Sequence, residues 1–349
     1  MRVLRNGGQT LVSKCATPAN TFTFGARMCA APAQAPMSGM PARRPGAGAA
    51  CFRPLIGGRA APYDRGRKRK GGGMSTISRH TERYRRGGER ESLPDRVVVE
   101  LPLEIKVNGM PLVALMRMPG MDKELAVGFC LTEKVMGSVS QVKLLKHCGS
   151  MEREICEGSE VEDTELDRGN VVELEIEEPG ERERFSATYL VRTGCGGADI
   201  SAIEDYHEGE VSSELRVGEA VIYGLGEELT RRQEVFRGTG GTHGAGVFTA
   251  GGEALVVAED VGRHNALDKA VGWCALRGIP LEDKVLVLSG RVSYEMALKT
   301  ARVGVPVLVS MAAPTSLGLR VAEAAGLTVV GFSDGRRFNV YAHPWRIAT

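Results

Sequence analysis

The strongest constraint on the fold is a regular alternation of strand and helix patterns towards the C-terminus. The fully apolar strand pattern of residues 285–288 is followed by helical spacing over residues 294–303. The same pair of patterns recurs at residues 306–311 and 316–325. Short apolar strands between helices are typical of a mainly parallel sheet that is covered on both faces. We therefore predict an α/β layered sandwich over residues 245–349.

A smaller α+β region is predicted before this domain, over residues 90–192. Asn108-Gly109 stands between two apolar runs and is a strong signal for a two-residue hairpin turn. Residues 121–136 show helical spacing, and residues 170–177 alternate apolar and acidic side chains as a half-buried strand does.

Residues 193–244 are predicted to connect these two regions. The segment begins with glycine on both sides of Cys195, which gives the backbone unusual freedom and predicts a mobile loop. A connecting helix follows over residues 217–236, and we expect Gly224 and Gly226 to break it.

The first 73 residues are predicted to be a disordered extension, because they show no sustained periodicity. They contain 13 of the 45 Lys and Arg residues but only one of the 43 acids, Asp64. The remainder holds 32 basic and 42 acidic residues, a net charge of −10, which argues against non-specific nucleic-acid binding. Three interpretations of the extension stay open: an organelle transit peptide, a nucleic-acid-binding run at residues 65–70, or a true start at Met74. We favour the last.

The cysteine and hydropathy patterns indicate a cytoplasmic protein. Eight cysteines occur at irregular spacing without a Cys-x-x-Cys pair, which suits a reducing compartment and argues against a structural zinc. No run of about 18 apolar residues is present, so we expect no membrane span. We predict no metal centre, no nucleic-acid partner and no membrane partner.

Cys195 is the first candidate for chemistry. One interpretation is a small buried apolar residue, as expected for Cys130 and Cys274 in their apolar helices. The other is a nucleophile, because the flanking glycines offer no packing partners. Arg192, three residues upstream, would also lower the pKa of the Cys195 thiol and favour the thiolate.

Polar segments follow the predicted strands, where ligands bind in sheets of this kind. Each segment also has a structural interpretation as a helix cap or a turn. The Gly-rich segment before the first of these strands could hold phosphate with its backbone N–H groups or could simply form a turn. The segments are 238–245, 259–269, 289–291, 313–315 and 333–337.

Six of these motifs together resemble the FdhD family, the formate dehydrogenase accessory sulfurtransferases. The resemblance extends from about Arg96 to Ile347. The motifs are Thr193-Gly-Cys-Gly, Thr239-Gly-Gly-Thr-His243, Glu259-Asp-Val-Gly-Arg-His-Asn-Ala-Leu-Asp-Lys269, Leu288-Ser-Gly-Arg291, Ala313-Pro-Thr-Ser316 and Asn339-Val-Tyr-Ala-His-Pro344.

The resemblance implies a sulfur carrier with a cytidine deaminase-like sandwich. Such a protein takes persulfide sulfur from a cysteine desulfurase and passes it to the bis-molybdopterin guanine dinucleotide cofactor, before that cofactor enters formate dehydrogenase. Cys195 corresponds to the sulfur-bearing cysteine, and a homodimer is implied. The implied cofactor-binding residues are Phe332, Ser333, Asp334, Gly335, Arg336 and Arg337.

One departure from the family leaves a second hypothesis open. Many members carry Cys-x-x-Cys where this chain has Ala198 in the fourth place. A cofactor-binding chaperone without sulfur transfer is therefore the alternative to a sulfur carrier. A third hypothesis, a zinc deaminase, fails on its ligands: such sites need His-x-Glu and Pro-Cys-x-x-Cys, whereas Ala266 stands two places after His264 and residues 289–293 lack cysteine.

Overall fold

The structure is a computed structural model and describes residues 75–148, 170–177 and 211–349. The predicted N-terminal extension and Cys195 with its predicted loop lie outside these residues. No helix in the described ranges is long and apolar enough to cross a lipid bilayer.

The described chain begins with an antiparallel ribbon that the sequence patterns did not predict. Strand β1 (Thr76–Tyr84) pairs with β2 (Arg90–Val98) along their full lengths. Most of their side chains are exposed, so no alternation of apolar residues marks these strands. At the base of the ribbon, Val98 packs so closely against Gly241 that a Cβ there would lie 2.8 Å from it.

A four-stranded sheet and one helix form the N-terminal α+β region. The sheet order is β4-β3-β6-β5, and leucine, isoleucine and valine side chains of β3 and β6 pack against the helix. The elements are β3 (Leu101–Val107), β4 (Met110–Arg117), α1 (Asp122–Thr132), a 3-10 turn (Val139–Gln141), β5 (Val142–Cys148) and β6 (Val171–Ile176).

The predicted hairpin turn between β3 and β4 is confirmed. Asn108 has φ of 50° and Gly109 has φ of 80°, the left-handed values that a two-residue turn of this type needs. The Asn108 carboxamide also accepts a hydrogen bond from the backbone N–H of Ile176 and donates one to its carbonyl, which ties the turn to β6.

The C-terminal domain follows the predicted alternation of strands and helices. Its elements are β7 (Val217–Gly218), α2 (Glu219–Arg232), α3 (Glu234–Thr239), β8 (His243–Thr249), β9 (Ala254–Asp260), α4 (Arg263–Ala275), β10 (Lys284–Leu288), α5 (Tyr294–Arg302), β11 (Val307–Ser310), α6 (Ser316–Ala325), β12 (Thr328–Gly331), β13 (Asn339–Ala342), a 3-10 turn (Pro344–Arg346) and β14 (Ile347–Ala348).

The six-stranded sheet of this domain has the order β13-β12-β11-β10-β8-β9. Strands β9, β10, β11 and β12 run in one direction, and β8 and β13 run against them. The predicted α/β fold is therefore confirmed, but the sheet is mixed rather than mainly parallel, because two of its five strand pairs are parallel and three are antiparallel. Short β14 pairs with β7 in a separate parallel ladder.

Helices cover both faces of the six-stranded sheet, which explains its continuous apolar strands. Leu286 and Leu288 point to the face covered by α4, α5 and α6. Val285 and Val287 point to the opposite face, where Ile222, Leu225 and Leu229 of α2 lie. Because successive side chains of a strand alternate between faces, every residue of β10 is buried.

The expectation that Gly224 and Gly226 break the connecting helix is wrong. Helix α2 continues through both glycines, and the break comes at Gln233. Gly226 instead lets helix α2 pack closely against the backbone of Ser333, since a Cβ at Gly226 would lie 3.0 Å from the carbonyl oxygen of Ser333. Val217 and Gly218 belong to β7 rather than to the helix.

Helices α1 and α4 cross with their backbones in contact at two glycines. A Cβ on Gly128 would overlap the carbonyl oxygen of Asp268. A Cβ on Gly272 would overlap the carbonyl oxygen of Glu124 and lie 2.8 Å from the backbone nitrogen of Gly128. This crossing joins the helix of the N-terminal region to the C-terminal domain.

Gly272→Ala is expected to lower the free energy of unfolding by about 1–3 kcal/mol or more, because the methyl group must push the two helices apart. Gly224→Ala is the matched control: it also lies within a helix, but nothing stands within 4 Å of the added Cβ. That change should stabilise the protein slightly, since alanine favours a helix. Denaturant titration measures both, and equal effects would contradict close packing at the crossing.

A buried ionic network lies beside the same crossing. The Nζ of Lys299 in α5 lies 2.8 Å from a carboxylate oxygen of Asp268 in α4 and 3.0 Å from one of Glu133. The Thr132 hydroxyl donates to Asp268 at 2.8 Å, and Arg302 pairs with Glu133 at 3.4 Å. The network therefore connects the end of α1 to both α4 and α5.

Candidate functional site

The polar segments predicted at the strand ends lie along one edge of the six-stranded sheet. The carboxyl end of β10 is paired with the start of β8, because Leu288 lies opposite Ala245. His243 lies opposite Asp260, the last residue of β9. The edge therefore places residues 243, 260 and 289 side by side, although they are far apart in sequence.

A cavity of about 390 Å³ opens at this edge, beside the start of β8. Its wall includes Thr230, Gln233, Phe236, Thr242, His243 and Ser289. Gln233 is only 1% exposed, yet its side-chain Nε2 has no hydrogen-bond partner among the described residues. Its carboxamide lies against Gly244, where a Cβ would come within 2.5–2.8 Å of it, so only glycine leaves room there.

Glu259 holds two residues of the cavity wall, Phe236 and Thr242, in place. Its carboxylate accepts hydrogen bonds from the backbone N–H groups of Val235 at 2.9 Å and Phe236 at 2.8 Å, which caps α3. It also accepts one from the Thr242 hydroxyl at 2.7 Å. Glu259 therefore holds the Gly-rich segment in place as a structural residue.

The Gly-rich segment does not offer a free cradle of backbone N–H groups at its two central glycines. The N–H of Gly240 donates to the carbonyl of Phe236, and that of Gly241 donates to the Thr239 hydroxyl. Gly240 ends α3 with φ of 68°. Of the two interpretations, these contacts favour the turn.

Three further polar residues of the 259–269 motif are structural as well. Asp260 is fully buried and pairs with Lys269 at 2.7 Å. It also accepts hydrogen bonds from the backbone N–H of Met118 at 3.1 Å and from the Asn265 carboxamide at 3.0 Å. These contacts join the end of β4 to the start of α4. The members of the motif that face the carboxyl-end edge of the six-stranded sheet are therefore Arg263 and His264.

Positive charge collects around His243. The cations nearest to it are Arg263, His264 and Arg291, and burial together with these charges lowers the pKa of the His243 imidazole. His264 is paired with Glu295 at 2.8 Å. The buried Nε of Arg263 has no hydrogen-bond partner in the described part of the chain. The lowered pKa favours the neutral form of the His243 imidazole beside these charged side chains.

The predicted cofactor segment 332–337 forms a tight loop after β12. The Asp334 carboxylate accepts hydrogen bonds from the backbone N–H of Arg336 at 2.9 Å and Arg337 at 3.0 Å, and these bonds hold the pKa of that carboxyl below its usual value. Gly335 has φ of 82°, which an L side chain rarely adopts. Asp334 and Gly335 therefore shape the loop.

The other side chains of this loop point in two directions. Ser333 is buried, and its hydroxyl donates to the carbonyl of Ile222 in α2. Phe332 is 39% exposed, with a strained φ of 54°, and both arginines are exposed. Phe332, Arg336 and Arg337 are thus the predicted residues that can reach a ligand, and their role in binding stays a prediction.

The thiols within the described ranges are those of Cys130, Cys148 and Cys274. Burial raises the pKa of Cys130 and of Cys274 to about 12, so neither forms a thiolate at neutral pH. Cys148 is partly buried at the end of β5. In the described residues no three His, Cys, Asp or Glu side chains are grouped as ligands for a metal.

Sequence reasoning missed Gln233 and Met311, which also lines the cavity. The sequence predicts Gln233 inside a helix, and no local signal shows that its Nε2 is buried without a hydrogen-bond partner among the described residues. The one available signal was Gly244, whose missing side chain makes room for that carboxamide.

Comparison with known proteins agrees with the resemblance in the motifs. The profile of the FdhD/NarQ family matches residues 98–348. The chain is 37% identical to "Sulfur carrier protein FdhD" of Mycolicibacterium paratuberculosis over 277 residues, which cover 78% of this chain and 100% of that protein. It is 36% identical to the protein of the same name from Sulfolobus acidocaldarius, over 74% of this chain and 94% of that one.

A solved structure shares the fold. The crystal structure of a protein described as a formate dehydrogenase accessory protein, from Desulfotalea psychrophila, superposes with a TM-score of 0.61. It matches 79% of this chain and all of the other, at 24% sequence identity. From the profile match and the full-length relatives, we conclude that this chain belongs to the FdhD/NarQ family.

Proposed function

We propose that this protein is a cytoplasmic sulfur carrier that serves formate dehydrogenase, with Cys195 as the carrying residue. The observation that carries the proposal is the match to full-length relatives named as sulfur carriers. The neighbour described as a formate dehydrogenase accessory protein points to the same client. Cys195 is the thiol that stands in a family motif, while Cys130 and Cys274 are buried.

The proposed donor is the persulfide of a cysteine desulfurase. The Cys195 thiolate attacks the outer sulfur of that persulfide, the donor's S–S bond breaks, and the donor cysteine leaves as a thiolate. Cys195 then carries the sulfur as its own persulfide. Release of the sulfur as sulfide takes two electrons, which a second, external thiol can supply by forming a disulfide with Cys195.

The proposed acceptor is the bis-molybdopterin guanine dinucleotide cofactor, before it enters formate dehydrogenase. The residues of the 332–337 loop fit the nucleotide end of such a ligand: two exposed guanidinium groups suit phosphate oxygens, and an exposed phenyl ring suits a purine. Bound cofactor would supply the metal that receives the sulfur. The residues of this chain would bind and orient it.

The experiment that tests the proposal is incubation of the protein with a cysteine desulfurase and cysteine, followed by mass spectrometry. A peptide containing Cys195 should gain the mass of one sulfur atom, and the gain should disappear after treatment with a reductant.

The alternative, a cofactor-binding chaperone without sulfur transfer, is favoured by Ala198 in the place of a second cysteine. An unmodified Cys195 together with normal cofactor binding would establish that alternative.

Replacing Arg336 and Arg337 with alanine is expected to weaken binding of a guanine nucleotide by about tenfold or more, because each charge-assisted hydrogen bond contributes about 1.5–3 kcal/mol. Calorimetric titration with GDP measures the loss. The fold should persist, since both side chains are exposed and the backbone N–H groups of residues 336 and 337 keep their hydrogen bonds to the Asp334 carboxylate. The ion pair of Arg337 with Asp334, at 3.6 Å, is lost, but it is exposed and contributes little to stability. Unchanged affinity in a natively folded variant would exclude this loop as the nucleotide site.

The family resemblance also implies a homodimer, and we include this in the proposal. Light scattering of the full chain at several concentrations measures the mass. A monomer at all concentrations would remove the dimer from the proposal without affecting the role of Cys195.

A further inference from the structure

We propose that the antiparallel ribbon β1–β2 is the docking arm for the client protein, and that its tip binds a carboxylate-bearing surface of that protein. The tip consists of residues 83–90, with Tyr84 and four arginines as its contact groups. The identity of the client rests on the proposed function, whereas the docking surface rests on the described residues.

The ribbon is attached to the rest of the described chain at its base. Val98 packs against Gly241, and the backbone N–H of Val99 donates to the carbonyl of Ser75. Strands of nine residues extend about 30 Å, and every residue from 82 to 92 is exposed. A two-stranded ribbon without a packed face is marginally stable in water. A ribbon that projects this far therefore suits a surface that a partner covers.

The tip has the composition of the centre of a protein interface. Tyr84 is 72% exposed, the largest exposed fraction among the large apolar and aromatic side chains of the described residues. Four of the eight residues of the tip are arginine, and the guanidinium group of Arg90 lies 5.6 Å from the centre of the Tyr84 ring. Tyrosine and arginine are the residue types that most often dominate the binding energy of protein interfaces.

Hydrogen bonds hold part of the tip in one arrangement before any partner binds. The Nε of Arg90 donates to the Glu82 carboxylate at 2.6 Å, and the Ser92 hydroxyl donates to the same carboxylate at 3.0 Å. The His80 imidazole lies 2.6 Å from the Ser92 hydroxyl. Side chains that are already ordered lose less conformational entropy on binding, so this network favours recognition.

The charge of the ribbon is opposite to that of the body. The ribbon holds six arginines and four acids, whereas the chain from residue 99 onward holds 26 basic and 38 acidic residues. Within the tip, Arg83 and Arg86 form no ion pair with any described residue. A partner surface that carries carboxylates is therefore repelled by the body and attracted by the tip, which orients the encounter.

The base of the ribbon borders the edge at which we propose that the cofactor binds. Gly241, against which Val98 packs, lines the cavity beside the start of β8, and so does Met311. A Cβ on Gly226 would contact both Met311 and Ser333 of the 332–337 loop. The ribbon, the cavity and this loop thus follow one another along one edge. A client that receives the cofactor approaches this edge and meets the ribbon.

The match to the family profile also separates the ribbon from the shared chemistry. The matched residues begin at 98, the last residue of β2, and all the strand-end motifs lie inside the match. An element outside the matched residues suits recognition of a particular partner rather than the reaction that the family has in common.

The test is the affinity of the full chain for purified formate dehydrogenase that lacks its cofactor, measured by surface plasmon resonance. Arg83→Glu with Arg86→Glu should weaken binding by about tenfold or more, and Tyr84→Ala should do the same. Lys143→Glu with Lys146→Glu is the matched control, because it makes the same change of charge on the exposed edge strand β5. The control should bind as the unmodified chain does. Added salt should weaken the unmodified chain more than the arginine variant.

Tyr84→Phe separates a binding role from a structural one. It keeps the ring and should keep the affinity, while the melting temperature should stay the same in both arginine variants, whose side chains are exposed and unpaired. Equal affinity of the unmodified chain and a natively folded Arg83→Glu, Arg86→Glu variant would overturn the docking arm. Absence of client binding by the unmodified chain would overturn it as well.

Two further measurements distinguish other occupants of the tip. Unchanged client affinity together with a lower mass in light scattering would assign the tip to a second copy of this chain. Unchanged client affinity together with slower sulfur loading of Cys195 would assign it to the desulfurase. Both results would overturn the client as occupant. Failure of Cys195 to accept sulfur in the unmodified chain would count against the proposed sulfur transfer alone, because the affinity difference between the arginine variant and its control does not depend on that step.

Discussion

Replacing Lys299 with methionine is expected to lower the free energy of unfolding by about 3–5 kcal/mol, because it leaves a buried carboxylate without its cation. Asp268 is 1% exposed and lies 2.8 Å from the Lys299 Nζ, with the Thr132 hydroxyl as its other partner. The loss should be visible in denaturant titration and should exceed that of any exposed ion pair in the described residues.

The effect should depend on pH in a defined direction. Burial raises the pKa of the Asp268 carboxyl, and Lys299 opposes that shift. Without Lys299 the folded protein holds a proton on Asp268 that the unfolded chain, with an ordinary carboxyl pKa, releases. The deficit is therefore largest near neutral pH and shrinks as the pH falls towards about 4.

Lys143→Met is the matched control for this prediction. Lys143 also forms an ion pair, with Glu177, but both side chains are 59% exposed. Solvent screens such a pair, so its loss should change stability little. The double variant Asp268→Leu with Lys299→Met should recover much of the lost stability, since apolar pairs often replace buried ion pairs without cost. Equal losses for Lys143→Met and Lys299→Met would contradict a buried network.

Cys195→Ser is expected to abolish activation of formate dehydrogenase while the stability of the protein changes little. A serine hydroxyl stays protonated at neutral pH and cannot accept a sulfane sulfur, so the proposed first step has no nucleophile. Client activity after co-expression, together with the melting temperature of the purified variant, measures both parts. Full activation by the variant would rule out Cys195 as the carrier.

Cys130→Ala and Cys274→Ala are the controls for the carrier. Both thiols are buried with a pKa of about 12, so they remain protonated and out of reach of a donor persulfide. Each variant should keep client activation and lose some stability, because a small cavity forms in the core. Loss of activation in a folded Cys130→Ala or Cys274→Ala protein would contradict a single carrier.

Local patterns in the sequence were sufficient for most of the secondary structure and for the family. Asn108-Gly109 predicts its turn because both residues adopt positive φ readily, and the apolar run 285–288 predicts a strand covered on both faces. The exposed ribbon β1–β2 was not predicted. Strands without a buried face show no alternation of apolar and polar residues that would mark them in the sequence. The six motifs identify the family from residue types and order alone.

Only the tertiary structure separated structural residues from those that face a ligand. Within the single motif 259–269, Glu259 caps α3, and Asp260 and Lys269 pair with each other and bind the backbone just after β4. The Nε of Arg263, in contrast, has no hydrogen-bond partner among the described residues. The buried Nε2 of Gln233, which has no hydrogen-bond partner in the described part of the chain, is equally invisible in the sequence. The physical reason is that a hydrogen bond or an ion pair depends on which groups meet across long sequence separations, and residue types and local spacing do not determine that.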